Sequence, residues 1–239
     1  MVLVHGAWQA GWCWDEVAAR LRARGHLVVT PDLPAHGGAP TPLDALTLQH
    51  YVDALIFTIR AQDDPVILAG HSMGGLVMRV AESVPERVQA VVYVAAILPP
   101  AGGTMLDIVG GFDAEYLAQL AWSPDGAFAT IRPEGARTFL YPLAPAALAD
   151  NAISRLTPEP AAPFRDPVHT TSERLGRVPA FYVECLRDRV VPLALQRQMQ
   201  SHVRIDRVLS LEADHSPFLS TPEELSRCLE AISLPRVWQ

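Results

Sequence analysis

The chain has 239 residues, 49% of them hydrophobic and 19% charged, with a formal net charge of −7. That length buries a full core and suits one domain with at most an insertion, while the acidic balance argues against nucleic acid or an anionic membrane as partner. No apolar run reaches the roughly 18 residues that would span a bilayer, and all 19 basic residues are arginine, since the sequence contains no lysine.

The first expected element is a short strand, Val2-Leu3-Val4, that runs into His5-Gly6 without a basic start or a long apolar stretch. This reads as the absence of a signal peptide. Trp14, Val17 and Leu21 recur at helical spacing over 14–24, and Gly25 stops that helix. A strand over 26–30 closes at Pro31. Tyr51, Leu55, Ile56 and Ile59 form a second helical stripe, with Thr47 placed to cap it. A strand over 66–69, a helix over 75–83 and a strand over 90–95 follow. Apolar strands separated by helices predict a parallel sheet covered on both faces.

The alternation breaks after Ala96. Residues 97–177 carry 10 of the 21 prolines, with scattered large apolar side chains such as Met105 and Phe112 and helical patterns over 113–122 and 144–155. It resumes with a strand over 179–185, a helix near 193–201 and a strand over 205–211. Thr221 as N-cap, Pro222 at the first helical position and Glu224 three residues after the cap announce a final helix. The predicted architecture is an α/β fold of about six mostly parallel strands flanked by helices. Its core comprises residues 1–96 and 178–239, and a mainly helical cap is inserted over 97–177.

Gly70-x-Ser72-x-Gly74, followed by Gly75, stands between a buried strand and a helix. Such a turn is tight, projects the serine hydroxyl above the C-terminal edge of the sheet, and aims a helix N-terminus at the site. A nucleophilic serine needs a base, and the base an orienting acid. Among the eight histidines, His5 and His71 lie in backbone-positioning motifs and His36 on a Pro/Gly loop. His215 follows the strand over 205–211 at the same sheet edge as Ser72 and is the expected base. Asp188, just past the strand over 179–185, is the expected acid. Glu184 lies inside that strand and reads as structural or as a pocket wall. Asp214 adjoins His215 too closely to bond its ring, and the alternative acid position reads Ala96-Ile-Leu-Pro99. The backbone N–H groups of Ala7 and Met73 are the expected oxyanion donors.

"VLVHGAWQAGWCWDEVAARLRARGHLVVTPDLPAHG", "AGHSMGG", "YVECLRDRVVPLALQRQMQ" and "ADHSPFLSTPEEL" resemble the α/β-hydrolase family of hydroxynitrile lyases, plant methylesterases and bacterial esterases of the pyrethroid-hydrolase type. The resemblance covers nearly all the core and weakens in the cap. It implies the triad positions for Ser72, Asp188 and His215 and the oxyanion positions for Ala7 and Met73. It also admits a homodimer. Lyases of this family use a threonine in the first loop and a lysine directly after the catalytic histidine, where this chain has Gly6 and Ser216. That departure favours ester hydrolysis.

The expected activity is therefore a serine carboxylesterase acting on small hydrophobic esters, with Trp8, Trp122, Phe128, Phe139 and Phe218 lining an apolar pocket. Lactone hydrolysis, C–C hydrolysis or a biosynthetic cyclisation on the same triad is the alternative, and a slow-turnover small-molecule receptor is a third. No P-loop, HExxH or dinucleotide-binding glycine pattern occurs, so neither metal nor cofactor is expected. Cys13, Cys185 and Cys228 are odd in number and far apart, which reads as structural thiols in a reducing cytoplasm. The row Arg20, Arg22, Arg24 reads as a solvated helix face.

Overall fold

A computed structural model describes residues 1–38, 46–169 and 178–233. In chain order the strands are β1 (Val2–Val4), β2 (Val66–His71), β3 (Val88–Val94), β4 (Leu120–Trp122), β5 (Phe128–Ile131), β6 (Glu159–Pro160), β7 (Ala180–Cys185) and β8 (Arg207–Leu211). Five of them form a parallel sheet in the order β1-β2-β3-β7-β8. Every residue of β2 and β7 is buried, as a sheet covered on both faces requires. β8, at the edge, exposes Arg207, Val208 and Ser210.

The strand expected over 26–30 contributes only a parallel bridge from Val29 to Val2. Val2 also pairs with Leu68 of β2, so the two partners occupy opposite edges of β1. The chain thus steps from β1 to one side and then returns to the other. At such a reversal the crevice beyond the strands' C-terminal ends is the natural ligand site. The loop after β1 and the turn after β2 both open there.

Helices cover the sheet. Asp15–Ala23 buries Val17, Ala18 and Leu21 and packs on the terminal helix Pro222–Ser233. Arg20 and Arg24 are not merely solvated, because they pair with Glu223 of that helix at 3.2 and 2.6 Å. Thr47 caps the helix Leu48–Arg60 in a reciprocal box with His50. The hydroxyl of Thr221, expected as an N-cap, instead donates to the Pro217 carbonyl at 3.3 Å. The helix expected over 75–83 is interrupted, forming Gly74–Val77 and Val80–Ser83.

The segment between β3 and β7 departs most from expectation. Its helical pieces include Ala114–Leu117 and Ala146–Ser154, but it also carries a three-stranded antiparallel sheet, β4-β5-β6. The turn Ser123-Pro-Asp-Gly126 joins β4 to β5, with Gly126 at φ +67° and its N–H bonded to the Ser123 carbonyl at 2.9 Å. Pro-Asp-Gly is a turn signal with a known mechanism. The boundary expected at 177 lies outside the described residues.

Candidate active site

Ser72 immediately follows β2 and is held at φ 51°, a conformation that costs a non-glycine residue energy and persists only when its surroundings over-determine it. They do so here. The Ser72 N–H donates to the Val94 carbonyl at 3.1 Å, and its own carbonyl accepts the N–H groups of Gly75 and Ile97, both at 2.9 Å. A Cβ at Gly70 would lie 2.7 Å from the Met78 sulfur and 2.9 Å from the Gly74 oxygen, so the strand and helix flanking Ser72 approach too closely for a larger residue.

The expected base and acid meet this serine. His215 Nε2 lies 3.0 Å from Ser72 Oγ, and His215 Nδ1 lies 2.8 Å from Asp188 Oδ2. Pairing of β7 with β8 places Cys185 beside Leu211, and bonds from Leu186 to Leu211 and from Arg187 to Ala213 continue past the strands. The two following loops therefore run side by side and deliver Asp188 to His215. The other Asp188 oxygen accepts the N–H groups of Val190 and Val191 at 2.8 and 2.9 Å. All three side chains are buried, with Ser72 6% exposed, so a water-poor chain of hydrogen bonds runs from carboxylate to hydroxyl.

His71 supports that chain from behind. Its Nε2–H donates to the His215 carbonyl at 2.6 Å, and the Phe218 ring lies 4.9 Å away, edge-on. Burial, reinforced by His215, drives its pKa well below the ordinary value, so the ring is neutral. The rejected carboxylates are otherwise engaged. Glu184 accepts from Arg197 and Ser210. Asp214 accepts the Leu143 and Ser216 N–H groups and the Ser220 hydroxyl.

Met73 follows the serine in sequence and Ala7 follows Gly6, which packs against Ser72, and among the described residues the N–H groups of Ala7 and Met73 have no acceptor. A Cβ at Gly6 would lie 2.8 Å from His71 Nδ1 and 3.0 Å from Ser72 Cβ. This loop therefore has no room for a threonine where the lyases carry one. No group of three or more His, Cys, Asp or Glu residues among those described is arranged to hold a metal ion, nor is any helix among them long and apolar enough to cross a membrane.

The model of the alpha/beta hydrolase family matches residues 1–227. The chain belongs to the alpha/beta hydrolase family. It is 34% identical to methylesterase 7 of Arabidopsis thaliana, over 97% of this chain and 95% of that one. With the pyrethroid hydrolase of Sphingobium wenxiniae it shares 31% identity over 96% of this chain and 85% of its relative. The crystal structure of a pyrethroid hydrolase from Sphingobium faniae superposes with a TM-score of 0.88 at 29% identity, covering 98% of this chain and 97% of the other. By these relatives the chain is a hydrolase of the carboxylesterase type.

Beside Trp8, this hydrolase contains an apolar cavity of about 230 Å³ within the segment between β3 and β7. Met105, Phe112, Tyr116, Trp122, Ala161 and Phe164 contribute to its wall. Of the five aromatics expected to line a pocket, Trp8 and Trp122 do so here. Phe128 alternates with the cavity-facing Ala129 along β5, and alternation in a strand sends it to the opposite face. Phe139 packs on Tyr116 and beneath the Arg189 guanidinium. Phe218 is fully buried between Trp14 and His71. The missing walls come from short irregular turns, which carry no periodic signal to mark a face.

Proposed function

We propose that the protein hydrolyses small hydrophobic carboxylic esters through an acyl-enzyme on Ser72. The observation that carries this reading is the unbroken hydrogen-bond chain Asp188–His215–Ser72 beside two N–H groups that have no acceptor among the described residues. His215 Nε2 takes the hydroxyl proton as Ser72 Oγ attacks the ester carbonyl, and Asp188 stabilises the imidazolium. The Ala7 and Met73 N–H groups receive the oxyanion, each such donor supplying roughly 10²–10³-fold in related systems. His215 then returns the proton to the departing alcohol. Water, activated by the same imidazole, releases the carboxylic acid and restores Ser72.

No triad residue lines the 230 Å³ cavity, and Trp8, next to Ala7, is what sets it beside the site; through that contact its size bears on the substrate class. An apolar cavity of roughly 150 Å³ takes up benzene, so about 230 Å³ suits a single aromatic ring or a short alkyl chain. The test is a panel of p-nitrophenyl acetate, butyrate, benzoate and long-chain esters with the wild type, Ser72→Ala and Ala161→Phe. Turnover should require Ser72, and the larger side chain at 161 should lower kcat/KM for benzoate by roughly 10-fold or more while sparing acetate. Equal turnover by Ser72→Ala would overturn the acyl-enzyme. Unchanged benzoate selectivity in Ala161→Phe would remove the cavity from the account.

A further inference from the structure

Glu159 is fully buried on β6, and the acyl-transfer steps make no use of it. Its Oε2 accepts the Trp8 N–H at 3.0 Å and lies 2.7 Å from His36 Nε2, while its Oε1 accepts the Tyr51 hydroxyl at 3.3 Å. His36 is buried as well, and its Nδ1 lies 3.1 Å from the Pro34 carbonyl. The Pro34 carbonyl can only accept, so Nδ1–H donates to it, and with Glu159 ionised Nε2–H donates to the carboxylate, which makes an imidazolium–carboxylate pair. A dry ion pair is weak evidence for stability and a plausible source of positional specificity.

What the pair positions is the oxyanion loop. Trp8 has φ 62°, strained for a residue with a side chain, and three groups from the segment between β3 and β7 clamp it. Glu159 takes its N–H, Thr157 donates its N–H to the Trp8 carbonyl at 2.9 Å, and the Ala129 carbonyl accepts the indole N–H at 3.1 Å. From the other side, His5 Nε2 accepts the Leu33 N–H at 3.0 Å, which leaves its Nδ1–H to donate to the Gly6 carbonyl at 2.8 Å. That carbonyl and the Ala7 N–H belong to one planar peptide, so the bond aims the donor. The His36 ring lies 4.8 Å from His5. Burial first, then the charge on His36, lowers the His5 pKa to about 3, which keeps it in the neutral form this bonding needs.

We propose that Glu159 and His36 are positioning residues that tie the seating of the cap to the orientation of the Ala7 donor; the idea rests on the acyl-transfer reading above. The test compares Glu159→Gln and His36→Gln with Tyr51→Phe, which removes only the Oε1 bond. Kinetics use p-nitrophenyl acetate, with active sites counted by a fluorophosphonate that labels Ser72. Glu159→Gln should lower kcat per labelled site by roughly 10–100-fold while KM stays within about two-fold. The backbone amide resonances of Ala7 and Trp8 should shift in the same variant and stay in place in Tyr51→Phe. A kcat per labelled site within about two-fold of wild type would overturn the proposal, as would unmoved Ala7 and Trp8 amides. If Glu159→Gln does not fold, His36→Gln is held to the same outcomes. Should the wild type turn over no ester, the acyl-transfer reading fails, and the amide shifts alone then decide whether the cap positions the loop.

Discussion

Two buried imidazole–carboxylate pairs lie in this molecule with nearly the same spacing, 2.8 Å for His215–Asp188 and 2.7 Å for His36–Glu159. The second ring nitrogen separates them. In His215 it faces the Ser72 hydroxyl, which can donate or accept, so the ring is free to gain and lose a proton. In His36 it faces the Pro34 carbonyl, which can only accept, so that nitrogen keeps its proton and passes none on. One pair can carry a reaction and the other can only hold a shape. The lesson is that a buried His–carboxylate contact does not mark a catalytic dyad until the group opposite the other nitrogen is known.

The largest expected effect breaks the reactive pair. Asp188→Asn keeps a hydrogen-bonding partner but selects the wrong imidazole tautomer, and kcat should fall by roughly 10⁴-fold with the fold intact. A loss smaller than about 10-fold in stopped-flow acylation would mean that Asp188 does not orient the base.

The static pair should respond in stability rather than in proton transfer. Glu159→Ala leaves the His36 ring, the Trp8 N–H and the Tyr51 hydroxyl without their buried acceptor and should cost about 3–5 kcal/mol, read by urea unfolding. A cost below about 1 kcal/mol would mean that Glu159 does not anchor these three groups. The same pair sets a pH dependence. Burial lowers the His36 pKa, but the charge and hydrogen bond of Glu159, the Pro34 carbonyl and Asp32 outweigh it, and the net shift is upward. His5 and Tyr51 also face the ring; His5 is neutral, and burial raises the Tyr51 pKa far out of range. A raised pKa means the fold binds the proton more tightly than the unfolded chain. Its stabilisation is complete below the unfolded value of about 6.5 and is lost as pH rises through the folded value. Unfolding free energy should therefore decline from about pH 6.5 upward, and Glu159→Gln should flatten that decline. Equal slopes would remove His36 from the titration.

The same contrast explains what could be read without coordinates. Ser72, Asp188 and His215 each follow a strand of one parallel sheet, and parallel strands deliver all their C-terminal ends to one edge. Strand assignment alone therefore juxtaposes them. Glu159 and His36 are 123 residues apart, one on a two-residue strand containing Pro160 and the other on a Pro/Gly loop. No periodicity predicts that meeting. The cavity walls were hidden for a related reason, since Met105, Phe112 and Phe164 come from or adjoin single turns of helix. The hairpin between β4 and β5 carries a Pro-Asp-Gly turn signal, but residues 120–122 read as the end of a helix over 113–122 where the structure has β4, and only the chain beyond reads as irregular.

The smallest expected effect separates a carboxylate that only looks eligible. Glu184 lies on β7 near the same sheet edge as Asp188 and is buried, yet its oxygens are taken by Arg197 at 2.9 and 3.1 Å and by Ser210 at 2.9 Å. Arg197 foremost lowers its pKa, so its contribution is present above the ordinary glutamate value and lost as pH falls through the lowered one. The Arg197 side chain is 60% exposed, and solvent screening limits the pair to about 0–1 kcal/mol. Glu184→Gln should therefore lower stability by no more than that and leave kcat within about two-fold. A fall in kcat comparable to that of Asp188→Asn would show that the acid has been placed on the wrong residue of the strand and its following loop.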